Sequence, residues 1–132
     1  MGSPLSPEIV RPLSIFVVEN HADTLKYLRM YLEQLGHHVR VARTMTEALA
    51  ELPGSDCDVL ISDIGLPDGD GWQLLREVVL PHLPYAIAMS GYGMNADRLR
   101  SKQAGYRHHI LKPFEPDELE AMLEEAARER AA

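Results

Sequence analysis

The run Val59-Leu60-Ile61-Ser62-Asp63 limits what this chain can fold into more than any other stretch. It has the composition of a strand buried on both faces, and it ends in a single carboxylate, Asp63. The turn-forming series Leu66-Pro67-Asp68-Gly69-Asp70-Gly71 follows. After it, Trp72, Leu74, Leu75, Val78 and Val79 recur with helical spacing. An acid at the carboxyl end of a buried strand, just before a flexible turn, stands where open α/β sheets place their chemistry.

The rest of the chain repeats that alternation. Ser14 to Val18 reads as a buried strand that ends in the polar trio Glu19, Asn20 and His21. Leu25, Leu28, Leu32 and Leu35 mark a helix from Ala22 to Leu35, with Gly36 as its stop. His37 to Ala42 is a second strand, and Thr44 caps a short helix with Met45, Ala48, Leu49 and Leu52 inward. Tyr85 to Ser90 forms a fourth strand, ending beside Gly91. Asn95 caps a polar helix that runs to Ala104 and has few apolar residues besides Leu99. Arg107 to Leu111 is the fifth strand, ending in Lys112-Pro113. Pro116 opens a last helix with Leu119, Met122, Leu123 and Ala126 inward.

Five strands alternating with five helices imply one α/β domain, a doubly wound parallel sheet covered on both faces. Right-handed crossovers put every strand's carboxyl end on one edge, so Glu19, Asn20, Asp63, Ser90 and Lys112 should converge. The 132 residues suffice for one domain with a proper core. A net charge of −7 argues against a nucleic-acid binder. The single cysteine, Cys57, cannot form an internal disulfide, which points to a reducing, cytoplasmic setting. No apolar run is long enough to span a membrane. Residues 1–12 are expected to be a disordered linker or tag, with the folded domain over 13–130; the formal myristoylation match at Gly2 is set aside as chance.

Glu19, Asn20 and Asp63 offer oxygen ligands for a hard cation, and Mg²⁺ is the usual one with phosphate. Lys112 supplies a point charge and Ser90 a hydroxyl for phosphoryl oxygens. Phosphoryl transfer needs mainly positioning and charge neutralisation, and Asp63 can serve as its nucleophile.

Taken together, Val17-Val18-Glu19-Asn20, Ser62-Asp63-Ile64-Gly65-Leu66-Pro67, Gly69-Asp70-Gly71, Ser90-Gly91 and Lys112-Pro113-Phe114 resemble the response-regulator receiver domain, over about Leu13 to Ala127. The resemblance implies a flavodoxin-like sheet of strand order 2-1-3-4-5. It implies that Asp63 accepts a phosphoryl group from a phosphohistidine on a histidine kinase or phosphotransfer protein. Glu19, Asn20, Asp63 and the backbone carbonyl of Gly65 match the family's Mg²⁺ site. Ser90 and Lys112 match its switch hydroxyl and phosphate-binding lysine, and the Lys112–Pro113 bond is expected to be cis. The output face would be the fourth helix, fifth strand and fifth helix, presented to a downstream protein or a second copy. The chain would be a switch with self-catalysed phosphorylation and dephosphorylation, not a metabolic enzyme.

Two positions depart from the family pattern. Asn20 stands where a second acid is usual, which weakens the cation site and leaves open a binding module that works without phosphorylation. His109 stands where the family often has a rotating Tyr or Phe; a histidine there can turn toward Ser90 and add pH sensitivity. A hydrolase acting on free phosphate esters is disfavoured, because Gly65 holds the place where such enzymes carry a second acid. His37-His38 and His108-His109 are not metal pairs, since adjacent strand residues face opposite sides. The turn is not a calcium loop, because its first ligand position falls on Leu66. The Gly91-Tyr92-Gly93 run and His109 resemble receivers of hybrid histidine kinases somewhat more than stand-alone regulators.

Overall fold

A computed structural model describes residues 12–91 and 95–131 of the chain. The expected disordered stretch lies, but for Pro12, outside the described residues, as do Tyr92 and Gly93. Five parallel strands form one sheet: β1 (Ser14–Val18), β2 (His38–Ala42), β3 (Val59–Asp63), β4 (Tyr85–Ser90) and β5 (His108–Leu111). Their spatial order is β2-β1-β3-β4-β5. The helices are α1 (Ala22–Gln34), α2 (Met45–Glu51), α3 (Gly71–Glu77), α4 (Asn95–Ala104) and α5 (Pro116–Ala131). None is long and apolar enough to cross a membrane.

The strand residues sort the core by their alternation. Ile15, Val17, Val59, Ile61, Ile87 and Met89 face α1 and α5, meeting Leu28, Leu32, Leu119 and Leu123. Phe16, Val18, Leu60, Ala86 and Ala88 face the other way, onto Ala48, Leu52, Trp72 and Leu74. Every residue of β3 is buried, which explains its near-continuous apolar composition. Glycine ends two of the helices, Gly36 as expected at φ 99° and Gly105 at φ 115°.

Three details differ from the sequence reading. Helix α3 stops at Glu77: Val78 is extended, at φ −67° and ψ 136°, and Val79 is 82% exposed rather than inward. Two β-branched residues followed by Leu80-Pro81 disfavour another helical turn, because the residue before proline is pushed out of the α region. The Pro67-Asp68 turn is closed by a small antiparallel ladder pairing Gly65–Leu66 with Gly69–Asp70, rather than being an open loop. Its tip reaches α2: Asp68 Oδ1 accepts the Met45 amide at 2.7 Å and Oδ2 the Thr46 amide at 2.8 Å. Thr44 caps the same helix by accepting the Glu47 amide at 3.1 Å.

The ladder delivers Gly71 against the end of β3. Its amide donates to the Ile64 carbonyl at 2.8 Å, and its own carbonyl accepts the Tyr106 hydroxyl at 2.6 Å. A Cβ here would lie 2.7 Å from the main-chain oxygen of Asp63. Gly71→Ala is therefore expected to lower stability by about 1–3 kcal/mol through overpacking against backbone that cannot yield. Gly54→Ala, with open space at that position, should stay within about 0.5 kcal/mol of the parent. Urea unfolding of the two variants checks both.

Candidate functional site

The carboxyl ends of β1, β3, β4 and β5 do converge. Glu19, following β1, is fully buried, an unusual place for an acid unless it is paired. Its partner comes from 93 positions away: Lys112 Nζ donates to Glu19 Oε1 at 2.7 Å. The same ammonium donates to Asp63 Oδ2 at 2.9 Å. Asp63 is itself buried, and its Oδ1 accepts the Gly65 amide at 3.3 Å. One lysine thus bridges two interior carboxylates, and the cluster carries a net charge of −1 when both acids are ionised. The Lys112–Pro113 peptide bond that follows is cis.

Burial alone would raise the proton affinity of both acids, and the two respond differently. Glu19 ends below its usual range, because Lys112 and the His21 amide outweigh desolvation. Asp63 ends above its usual range: burial dominates, the Glu19 charge adds to it, and Lys112 and the Gly65 amide offset only part. Lys112 is desolvated too, yet the two carboxylates push its pKa up. The surroundings thus favour the charged forms of Glu19 and Lys112 and disfavour that of Asp63.

Asn20 lies half-buried between Glu19 and His21, and Arg43 fixes its main chain by donating to its carbonyl from Nη2 at 2.9 Å. Gly65 is exposed, with open space at its α-carbon. The donor set suits a divalent cation: an oxygen of Glu19, an oxygen of Asp63 and a ring nitrogen of His21 all lie within 4.8 Å of one another. His21 is the member that sequence reasoning passed over, although its place beside Glu19 at a strand end was a visible signal.

Ser90 opens a second line of contacts. Its Oγ is 2.7 Å from His109 Nε2, so the ring already lies on the Ser90 side. The other ring nitrogen, Nδ1, is 2.8 Å from Ser101 Oγ, which also accepts the Trp72 indole N–H at 2.8 Å. Ser101 is the buried residue of α4 among those described. This polar helix is thus docked by a hydroxyl where a leucine would be ordinary, and Leu99 points out at 57% exposure. Helical spacing placed Trp72 with the apolar residues after it and gave no signal for Ser101, whose partners lie 29 and 8 positions away. His108 faces the opposite side, toward Tyr85 and Glu125, so the two adjacent histidines share no site.

A cleft of about 450 Å³ opens over Asp63, lined also by His21, Ser90, His109 and Lys112. It is polar at its floor, open to solvent, and large enough for a phosphoryl group carried on a partner's side chain. It holds a carboxylate oxygen that, among the described residues, has only a long hydrogen bond (Asp63 Oδ1), a fixed cation and a hydroxyl.

Known proteins are similar to this chain in sequence and fold. A family model described as the response regulator receiver domain matches residues 15–124. The KDP operon transcriptional regulatory protein KdpE of Escherichia coli is 32% identical over 119 residues, 90% of this chain. The chain spans about half of that relative's length, 53%. An uncharacterised 14.6 kDa protein of Leptolyngbya boryana is 33% identical over 116 residues, covering 86% of this chain and 88% of its own length. Among solved structures, a CheY-like response regulator receiver domain protein of Methanospirillum hungatei superposes with a TM-score of 0.82 at 27% identity. That match covers 92% of this chain and 98% of the other.

Lys112→Ala is expected to cost roughly 3 kcal/mol at pH 7, because two buried carboxylates would face each other without a cation. The sign follows from Glu19, whose affinity for a proton is depressed in the folded state. Stability of that origin is present above the ordinary carboxylate range and is lost as pH falls through the lowered value. The gap between parent and variant should therefore hold steady from neutral pH down to the ordinary carboxylate range and narrow as pH falls below it. Chemical unfolding across that range measures it.

Proposed function

Because the chain belongs to the response regulator receiver domain family, we propose that it is a phosphoacceptor switch in a two-component relay, with Asp63 taking the phosphoryl group. The observation that carries this reading is the Asp63–Lys112 pair at the floor of an open cleft, with Glu19 buried behind the lysine. The donor is a phosphohistidine on a histidine kinase or a histidine phosphotransfer protein. Oδ1 of Asp63, which among the described residues holds only the 3.3 Å bond from Gly65, attacks phosphorus. The N–P bond to the partner's imidazole breaks as the O–P bond of the acyl phosphate forms.

Lys112 is placed to follow the charge from the carboxylate to the phosphoryl oxygens without leaving Glu19. Mg²⁺, when bound beside Glu19 and Asp63 with Asn20 and the Gly65 carbonyl as further oxygen donors, supplies positive charge to the phosphoryl oxygens. Ser90, at the end of the neighbouring strand, donates its hydroxyl to one of those oxygens. That contact competes with the present one to His109 Nε2, so occupancy at Asp63 is felt at His109, Ser101 and α4. The output face comprises α4, β5 and α5, where Leu99 and Leu111 are exposed. It meets a downstream protein or a second copy, not nucleic acid.

The domain is a switch that reacts once per phosphorylation and not a metabolic enzyme, since Gly65 offers no general acid for turnover. A cytoplasmic location suits the free thiol of Cys57. The intact Asp63–Lys112 pair supports phosphorylation over a phosphorylation-independent binding module.

Incubation with acetyl phosphate and saturating Mg²⁺, followed by intact-mass measurement, tests the reading. The parent is expected to gain one phosphoryl group and Asp63→Asn none, with Lys112→Ala slower by on the order of 10²-fold. A folded parent that gains nothing overturns it.

A further inference from the structure

We propose that His21 is a third protein ligand of the cation site and tilts it toward nitrogen-preferring first-row dications such as Co²⁺ and Ni²⁺. The inference rests on the cation site of the proposed function and concerns which ion that site favours.

His21 occupies the cap position of α1, yet its side chain makes no capping hydrogen bond. Its ring is instead drawn back over the preceding strand end, with Nδ1 3.2 Å from Glu19 Oε2. The same carboxylate oxygen accepts the His21 main-chain amide at 2.9 Å, so a tight local loop pins the imidazole at the buried acid. The ring is otherwise 75% exposed, so the main chain and not side-chain packing holds it there. Glu19 divides its two oxygens, Oε1 to Lys112 and Oε2 to the His21 side. Oε2 therefore faces the nitrogen, and Asp63 completes a triad of ligand atoms within 4.8 Å.

Metal–ligand bonds of about 2.1 Å bring two ligands of one ion to within about 4.2 Å. The triad, its atoms within 4.8 Å of one another, lies close to that limit. Its chemistry sets the preference. Mg²⁺ is selected by charged oxygen donors and dehydrates reluctantly. Here Asn20 withholds one charge, and Lys112 cancels another. A neutral imidazole adds no charge but a good donor for Co²⁺, Ni²⁺ or Zn²⁺, whose affinity rises with nitrogen ligation. The residues at this strand end thus trade attraction for a hard ion against attraction for a borderline one.

Isothermal titration of the folded chain with Mg²⁺, Co²⁺ and Ni²⁺ tests the inference, with His21→Ala and Asp63→Asn in parallel. His21→Ala removes an exposed ring without a cap bond, so the variant should fold. It is expected to weaken Co²⁺ and Ni²⁺ at least ten times more than it weakens Mg²⁺. The His21 ring protons of the parent should also show paramagnetic shifts with Co²⁺. An equal loss for all three ions would mean that the ring only positions Glu19, and no loss would mean that it only hydrogen-bonds there; either result overturns the proposal. If Asp63→Asn leaves every affinity unchanged, or the parent binds no ion, the cation site itself is wrong, a failure distinct from that of His21.

Discussion

Lys112 holds together two carboxylates that would otherwise repel each other inside the protein. Glu19 comes from the end of β1, Asp63 from the end of β3, and the lysine from the end of β5. The cluster therefore spans the centre of the sheet and one side of it. Interior ion pairs rarely add net stability over apolar packing. This one is better understood as a constraint in which Lys112 favours the ionised form of Asp63 against its burial. The unequal environments of the two acids divide the work. Glu19, bonded from two sides, is held ionised, whereas Asp63 is the acid whose charge is costly. That charge is the one the proposed reaction converts to an acyl phosphate, and Lys112 stays in place to meet the product.

A second constraint links this chemistry to the surface. Helix α4 has almost no apolar face, and the hydroxyl of Ser101 anchors it between the Trp72 indole and His109. Hydrogen bonds of this kind contribute about 1 kcal/mol each and are directional. An element held this way shifts more readily than one held by a leucine stripe, such as α1 or α5. His109 joins the anchor to Ser90, so one ring connects the cleft to the helix. The low apolar content of α4 follows from that arrangement.

Much of this was legible in the chain. Buried parallel strands write themselves as apolar runs, and β1, β3 and β4 were recovered with their boundaries. Asp63 and Lys112 stood out because a charge directly after such a run has few structural reasons to be there. What stayed hidden depended on partners distant in sequence. Asp68 is a turn residue locally, and only the fold shows it accepting amides from α2, 23 and 22 positions earlier. Ser101 is an unremarkable polar residue until β5 brings His109 beneath it. His21 looked like the tail of a polar trio, because the local loop that turns its ring back depends on main-chain geometry. Val79 was misplaced because helical spacing was extended past the point where Leu80-Pro81 permits it.

The most direct measurement is the position of the phosphoryl group. Borohydride reduces an acyl phosphate to an alcohol at the carbon that carried it, leaving homoserine where the aspartyl phosphate stood. After brief phosphorylation and trapping, peptide mass spectrometry should find homoserine at position 63 alone. Homoserine at Asp56, Asp58, Asp68 or Asp70 instead, or phosphate retained on a histidine, would contradict the central role given to the carboxylate that Lys112 holds.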